Sequence, residues 1–358
     1  MTPADERVRH ISSTGEIVFD DTVDHFHNAL LRLLDLDERT FVEWIDRAGG
    51  SEGELLEQLA SAWRELRPVA SRAPDSGSGA AHPGPCEPEG SVLHEAIAES
   101  PEFGIAVSPD ASIGWLMQPD SARSRRVVEP PSYEHEYFEG DVHEAGGYGS
   151  YAEQAGWRLE KAARQVREMV AATGLRQGRI LDIGCGYGYF RVALDQAGFD
   201  HDGLEVSAHA RSVARDQYGF ETFAGEIEDH WRDWSERYDA ITGFDFIEHV
   251  PHVDVLLAQI SSCLKPGGFL GLKTPNLRCP EADLFGAHYH SFKREHLWYF
   301  TPDSLIAAAT RAGLDVVDVT TTSHLLVGFV GAGTVAAWET DGLGADITAW
   351  FRKPPART

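Results

Sequence analysis

The stretch from residue 177 to 206 constrains the fold of this chain more than any other. An apolar run that carries Asp182 leads into a loop with the spacing Gly-x-Gly-x-Gly, a helical pattern follows, and a short second strand ends at Glu205. The glycines of the loop are Gly184, Gly186 and Gly188. Glycine lets the backbone turn tightly and approach a ligand without a Cβ in the way. An acid at the tip of the second strand can accept two hydrogen bonds from a ribose diol.

The loop departs from two common glycine patterns. It is not a Walker phosphate loop, because no Lys-Ser or Lys-Thr follows it, and its spacing is not the Gly-x-Gly-x-x-Gly of dinucleotide-binding proteins. With Asp182 two residues before the first glycine, it resembles motif I of the class I S-adenosylmethionine (SAM)-dependent methyltransferases.

Four later segments resemble the same family, in the same order along the chain. Phe223–Ile227 follows a third predicted strand, where the family places adenine contacts, and Tyr238–Pro251 resembles the fourth strand with its FD…EHV continuation. Leu264–Leu270 resembles the LKPGG turn, and Glu295–Leu305 resembles the EHL…F…SL segment of the UbiG-like small-molecule branch. The five matches cover roughly 177–320 and identify the chain as a member of that branch.

The resemblance and the alternation of short strands with helical patterns predict an α/β fold. We expect a Rossmann-like, mostly parallel seven-stranded sheet with helices on both faces, plus a mainly helical N-terminal region. Ligands on such sheets bind at the carboxyl ends of the strands. The predicted divisions are a helical region at 1–70, a flexible linker at 71–91, a small α/β or connecting segment at 92–132, and the methyltransferase domain with an N-terminal lid at 133–358.

Two further expectations concern the N-terminal helices and the C-terminal part of the chain. The N-terminal helices are predicted to contribute to dimerisation or substrate enclosure, and the part from about Ser132 onward is predicted to fold and bind SAM without them. The apolar, Gly-rich stretch at 324–335 is predicted to be a late strand followed by a loop.

SAM is the cofactor that the resemblance implies. Tyr148 and Tyr151 follow Gly146 and Gly147, a setting that suits a mobile lid over the cofactor, and the alternative is that they staple the N-terminal region onto the sheet. Arg158 could reach the methionine carboxylate or could be a surface charge. The predicted cofactor-binding residues are Asp182, Gly184, Gly186, Gly188, Glu205, Val206, Glu226, Ile227, Phe244, Tyr148, Tyr151 and Arg158.

Four histidines are the predicted catalytic candidates: His249, His288, His290 and His296. An imidazole can remove the proton of an acceptor hydroxyl near neutral pH. His249 lies next to Asp245, which could orient its ring, but it and His296 belong to motifs shared by the branch, whereas His288 and His290 do not. A metal held by His288, His290, His296 and Asp283 is an alternative without a recognised spacing, and no metal is assigned.

The predicted function is SAM-dependent methyl transfer to a small-molecule acceptor, with O-methylation favoured because several histidines could serve as the base. The acceptor is expected to be a hydroxyl of a natural product or a sugar-like metabolite. Two alternatives stay open: a SAM-fold binding or regulatory protein, and a SAM-fold enzyme that does not transfer methyl. The complete set of Asp182, the loop glycines and Glu205 argues against a degenerate fold.

Composition indicates which binding partners and which cellular location to expect. The net charge of −26 repels phosphate backbones and anionic membrane surfaces, so neither nucleic acid nor a membrane is expected as a partner. The four cysteines form no Cys-x-x-Cys pair and are expected to be free thiols in a reducing compartment. No apolar run reaches membrane-spanning length and no basic-then-apolar leader follows Met1, so a cytoplasmic protein is expected, and the preference for Arg over Lys suggests a bacterial source.

Overall fold

A computed structural model describes residues 104–107, 113–118, 125–126, 133, 137–138, 151–152, 154–285, 289, 291–293, 295–323 and 332–356. The predicted helical region at 1–70 and the predicted linker at 71–91 lie outside the described residues, as do Tyr148, His288 and His290.

A seven-stranded sheet forms the centre of the described structure. Its strands are β4 (Arg179–Ile183), β5 (Asp200–Glu205), β6 (Phe223–Ala224), β7 (Tyr238–Phe244), β8 (Leu264–Pro275), β10 (Asp315–Thr322) and β11 (Asp346–Arg352). The order across the sheet is β10-β11-β8-β7-β4-β5-β6. The pairs from β8 through β7, β4 and β5 to β6 are parallel, and β11 pairs antiparallel with both β8 and β10. The predicted mostly parallel seven-stranded sheet is therefore confirmed.

Eight helices accompany this sheet within the described residues. They are α1 (Ala155–Thr173), α2 (Tyr189–Gln196), α3 (Ala208–Tyr218), α4 (Ile227–His230), α5 (Val253–Cys263), α6 (Pro280–Phe285), α7 (Pro302–Arg311) and α8 (Ala332–Thr340). Because α8 begins at Ala332, the predicted strand and loop at 324–335 is wrong for its last four residues. These four residues, Ala332 to Val335, carry no alternation that would distinguish a strand from a short helix, and residues 324–331 lie outside the described ranges.

Alternate side chains of the strands enter two separate apolar cores. Ile180 of β4 packs with α1 and α2 on one face, whereas its neighbour Leu181 packs with α5 and α7 on the other. Trp350 and Phe351 of β11 divide between the same two faces. This is the two-residue period of a strand whose faces are both covered by helices. Shortening a fully buried side chain such as Leu181 to alanine should cost about 2–5 kcal/mol of stability.

A smaller antiparallel sheet joins the segment at 92–132 to the part of the chain that carries the main sheet. Its strands are β1 (Gly104–Val107), β2 (Ile113–Gln118), β3 (Arg125–Arg126) and β9 (Trp298–Phe300). β2 pairs with β1, β3 and β9, and Trp115 of β2 is buried in the core that contains α5 and α7. The segment at 92–132 thus contributes strands, and one of them, β2, pairs with β9 of the later part of the chain.

Candidate active site

A cavity of about 620 Å³ lies at the carboxyl ends of the parallel strands. The loops after β4, β5, β6 and β7 line it, together with α1, α5 and aromatic residues that precede α1. This is the edge where open α/β sheets bind ligands. The sequence-predicted residues on its wall are Gly184, Gly186, Glu205, Val206, Glu226, Ile227, Phe244, Tyr151, Arg158 and His249.

The loop after β4 requires its glycines. Gly184 and Gly186 have φ angles of 68° and 51°, in the left-handed region that favours glycine. A Cβ on Gly184 would also lie 2.8 Å from a ring carbon of Phe246, and Gly184 N–H donates to the Leu204 carbonyl at 2.8 Å. The loop is therefore held against β5 with its backbone exposed to the cavity.

Glu205 closes this loop from the neighbouring strand. Its two carboxylate oxygens accept hydrogen bonds from Gly186 N–H and Ser207 N–H, each at 2.8 Å. Burial raises the pKa of Glu205, although the N–H groups of Ser207 and Gly186 act in the opposite direction. Because a carboxylate offers about four lone-pair sites, Glu205 can hold the loop and still accept bonds from a ligand in the cavity.

Two predicted cofactor residues shape the loop from behind and do not line the cavity. Asp182 is 4% exposed and accepts a hydrogen bond from Thr242 Oγ1 at 2.8 Å. Burial raises its pKa to about 7. Gly188 has a φ of 86° and is the N-cap of α2. Both residues act on the cavity through the backbone that they hold in place.

The turn after β6 forms another part of the wall. Glu226 is the N-cap of α4 and exchanges hydrogen bonds with Asp229 in a capping box, including Glu226 N–H to Asp229 at 3.0 Å. Burial, then Glu228 and Asp229, raise the pKa of Glu226. Ile227 is 3% exposed and Val206, at the end of β5, is 42% exposed. An exposed valine on a cavity wall is apolar surface that a ligand would cover.

The aromatic residues before α1 cover the glycine loop. The Tyr151 ring lies edge-on to Phe138 and Tyr187, with its hydroxyl facing Gly186. The Arg158 guanidinium stacks 3.4 Å from the Tyr151 ring centroid and donates to Gln154 Oε1 at 2.8 Å. Arg158 is therefore fixed on the cavity wall rather than free at the surface, which favours the predicted contact with a carboxylate.

A chain of charges that the sequence did not reveal anchors α1 to the sheet edge. Lys161 Nζ of α1 pairs with Asp245 Oδ2 at 2.8 Å, and Lys273 of β8 bridges Asp245 and Asp346 of β11. Asp245 has a φ of 54°, uncommon for a residue other than glycine. Burial would raise the pKa of Asp245, but Lys161 and Lys273 outweigh it and hold that pKa below its usual value. Lys161 and Asp245 both line the cavity.

His249 is the predicted catalytic histidine that lines the cavity. It ends a 3₁₀ turn at Ile247–His249, and its Nδ1 bonds the Glu295 carbonyl oxygen at 2.8 Å. A carbonyl only accepts, so Nδ1 carries the proton and Nε2 keeps its lone pair. Burial lowers the pKa of His249 to about 4. The idea that Asp245 orients the ring is wrong, because Asp245 is paired with Lys161 and Lys273.

His296 lies behind His249, is 3% exposed, and is not on the cavity wall. Its ring is edge-on to His249, with centroids 4.8 Å apart. Burial, then Asp245, raise the pKa of the adjacent Glu248 to about 8. One ligand atom each from Glu248, His249 and His296 lies within 4.8 Å of the others, so these three could hold a divalent metal. The proton on His249 Nδ1 and its carbonyl partner are typical of a metal-ligating histidine.

Comparison with known proteins identifies the family. A family model described as a methyltransferase domain matches residues 151–319. A ubiquinone biosynthesis O-methyltransferase of Bordetella avium is 32% identical over 162 residues, which are 40% of this chain and 65% of that protein. The enzyme of that name from Pseudomonas savastanoi pv. phaseolicola is 31% identical over 163 residues, 41% of this chain and 68% of that protein.

A solved SAM-dependent methyltransferase from Archaeoglobus fulgidus superimposes with a TM-score of 0.43 at 18% identity, covering 55% of this chain and 94% of that one. The strand order and the glycine loop with its acid on the next strand define a Rossmann-like, SAM-binding class of protein. The chain belongs to the class I SAM-dependent methyltransferases, in the branch that contains the ubiquinone biosynthesis O-methyltransferases. It spans 65% of the Bordetella relative and 66% of a relative from Aeromonas salmonicida.

Two other observations bear on the sequence expectations. Among the helices of the described ranges, none is both long and apolar enough to cross a bilayer. Cys185, Cys263 and Cys279 are buried and are not joined to one another by disulfides, and Cys86 lies outside the described residues.

Proposed function

We propose that the protein transfers the methyl group of SAM to a hydroxyl of a small-molecule acceptor. One observation carries the proposal: the glycine loop, Glu205 and His249 line the same cavity. A methyl transferase must hold the sulfonium donor and the acceptor oxygen in line, and this cavity offers both a cofactor wall and an acceptor wall.

The cofactor would lie along the ends of β4, β5 and β6. The ribose diol donates to Glu205, adenine lies against Val206, Glu226 and Ile227, and the methionine carboxylate meets Arg158. The remaining predicted contacts on this wall are Gly184, Gly186, Phe244 and Tyr151. The carboxylate of Glu205 already accepts two N–H bonds, so the ribose would bind to a preorganised group.

The acceptor oxygen attacks the methyl carbon, the carbon–sulfur bond breaks, and S-adenosylhomocysteine leaves. The hydroxyl proton passes to His249 Nε2 or through it to water. Because the pKa of His249 is about 4, its ring is neutral at pH 7 and accepts a hydrogen bond from the hydroxyl, but it is a weak base. Positioning therefore contributes a large share of the rate, together with this hydrogen bond.

An aromatic hydroxyl is the first acceptor class to test, ahead of the natural-product and sugar-like hydroxyls that stay in the proposal. The relatives are named for ubiquinone biosynthesis. The cavity wall also carries the aromatic side chains Tyr133, Tyr137, Phe138 and Trp157. Trp157 is 58% exposed, and an indole on a cavity wall offers a stacking surface for a planar ring.

The test is incubation with methyl-labelled SAM and a panel of catechol, phenol and a monosaccharide, followed by mass spectrometry. We expect labelled O-methyl product and an equal amount of S-adenosylhomocysteine, with turnover reduced about a hundredfold in His249→Gln, the lower end of the range for general-base loss. SAM consumption without labelled product would favour an enzyme that does not transfer methyl. SAM binding without consumption, even with cell-extract metabolites as acceptors, would favour a binding or regulatory protein.

The cluster of Glu248, His249 and His296 favours a second candidate, metal-assisted O-methyl transfer. A bound divalent cation would supply Lewis acidity and lower the pKa of a ligated hydroxyl. Activity that is lost on treatment with a chelator and restored by Mg²⁺ or Zn²⁺ would support it. Activity that is unchanged after chelation and dialysis would contradict the metal-assisted reaction and support methyl transfer without a metal.

The remaining expectations are proposals supported by composition. The net charge of −26 supports a protein without nucleic-acid or membrane partners, and the cysteine usage supports a cytoplasmic location. A homodimer through the N-terminal helices can be tested by sedimentation of the full chain and of a chain that lacks residues 1–70.

A further inference from the structure

The inference concerns Gln259, a residue of α5 for which no motif predicts a role. Gln259 lines the cavity, and its Oε1 is buried without a hydrogen-bond partner among the described residues. A buried acceptor left without a partner is destabilising, so such groups generally meet a ligand or a water. Gln259 is therefore a candidate contact for something that occupies the cavity.

The direction of the bound cofactor follows from the strand order. Glu205 ends β5, which lies between β4 and β6. The β4 side of the cavity is covered by Tyr151 and Arg158, the predicted site of the methionine carboxylate. With the ribose at Glu205 and the methionine tail toward Arg158, the base must extend the other way, toward β6, α4 and the neighbouring α5.

Apolar side chains line this part of the cavity. Val206 and Ile227 contribute from the ends of β5 and β6, and Leu256 contributes from α5, one helical turn before Gln259. The exposed Val206 side chain offers apolar surface for a flat ring to cover. The polar neighbours on the same wall include Glu226 and Glu228. A planar base with hydrogen-bonding atoms on its edge suits this combination of apolar and polar side chains.

We propose that the Gln259 side-chain amide reads the edge of the adenine ring of the cofactor. A glutamine amide can pair with adenine through two bonds, its oxygen accepting from the exocyclic amine and its nitrogen donating to a ring nitrogen. The amine has two N–H groups, so Glu226 and Gln259 can each accept one. Gln259 would then select the adenosyl cofactor over analogues that lack the amine. The inference rests on the proposed cofactor site.

The test uses S-adenosylhomocysteine and its 6-oxo analogue S-inosylhomocysteine, which replaces the amine with a carbonyl. Calorimetric titration of the full chain should show the adenosyl compound binding about tenfold to a hundredfold tighter, because a site built around an N–H group rejects a ligand without it. In Gln259→Leu that ratio should fall to about threefold or less, with weaker binding of the adenosyl compound. Gln196→Leu, an exposed glutamine of α2, is the matched control and should keep the wild-type ratio.

The experiment distinguishes failure of the proposed role of Gln259 from failure of the proposed cofactor site. Wild type that binds both compounds equally, or a Gln259→Leu variant that keeps the full ratio, would overturn the role of Gln259 and leave the methyltransferase proposal standing. Wild type that binds neither compound would overturn the cofactor site, and the role of Gln259 with it. Thermal unfolding of each variant shows whether a lost ratio accompanies a lost fold.

Discussion

At the residue scale, the site separates into positions that a local pattern specifies and positions that only the fold brings together. The loop glycines were predictable because their left-handed φ values are a local requirement of the turn. Glu205 was predictable because an acid at the end of the second strand has a fixed place relative to that turn. Lys161 and Gln259 were not, because Lys161 meets Asp245 across 84 residues of sequence and Gln259 has no local signature.

Glu205 should contribute strongly to cofactor affinity. Glu205→Ala removes the ribose acceptor and the partner of the Gly186 and Ser207 N–H groups. We expect SAM affinity to fall about tenfold to a hundredfold, the equivalent of about 1.5–3 kcal/mol for lost charge-assisted hydrogen bonds. Calorimetry measures it, with the exposed Glu221→Ala as control. Unchanged affinity in the Glu205 variant would mean that the cofactor binds elsewhere.

Asp182 should make stability fall as pH rises toward neutrality. Its folded-state pKa of about 7 exceeds the ordinary value of 3.8, so between these values the folded protein holds a proton that the unfolded chain has lost. The free energy of unfolding therefore decreases with rising pH up to about 7, and the contribution of Asp182 is flat above that. Over the interval from pH 5.5 to 7 it should amount to about 2 kcal/mol at most.

Asp182→Asn keeps an acceptor for Thr242 and removes the titration. Urea unfolding at pH 5.5 and pH 8, both above the isoelectric point of about 4.9, should show the variant gaining stability relative to wild type at the higher pH. Equal pH dependence of the two proteins would show that Asp182 ionises normally in the folded state.

At the element scale, the alternation of short strands and helices predicted the central sheet. It did not predict the pairing of β11 or the helix at Ala332–Thr340. Strands β4 and β7 are short segments with mostly buried residues, covered on both faces, and each is followed by a recognisable motif. β11 lies between β10 and β8 through antiparallel pairing that no local pattern announces. The start of the helix at Ala332–Thr340 was predicted to belong to a late strand and loop, because its apolar residues have no clear period.

Helix α1 should depend on the Lys161–Asp245 pair for its position over the cavity. Lys161→Met removes the cation that joins α1 to the end of β7 while keeping much of the side-chain volume. We expect faster amide hydrogen exchange in the first turns of α1, because the helix loses its charged contact with the sheet edge. Arg164→Met is the control, since Arg164 is largely exposed and pairs only within the helix, with Glu168. Equal exchange in the two variants would show that apolar packing alone holds α1.

At the scale of the whole molecule, the small sheet bears on where the predicted methyltransferase domain begins. The predicted boundary at 132 separates β2 from β9, although the two strands are paired and Trp115 is buried in the main core. A change in amino-acid composition can mark a linker, but it carries no information on strand pairing between distant segments. The division of the chain into units stays a prediction.

Two shortened chains test that division. A chain that begins near residue 100 keeps β1 to β3 and should bind SAM with near wild-type affinity. A chain that begins at Ser132 exposes the edge of β9 and the site of Trp115, so its free energy of unfolding should fall by about 3–5 kcal/mol. Denaturant unfolding of both compares them directly. Equal stability would support the boundary at 132 and make the small sheet an accessory.

The most direct test of the proposed site is hydrogen exchange of the full chain with and without S-adenosylhomocysteine. The account predicts slower exchange at the glycine loop, at the ends of β5 and β6, and in the first turns of α1, that is, near residues 183–189, 204–207, 225–228 and 154–161. Slower exchange concentrated elsewhere, or none at ligand concentrations that saturate binding, would contradict the placement of the cofactor and with it the proposed reaction.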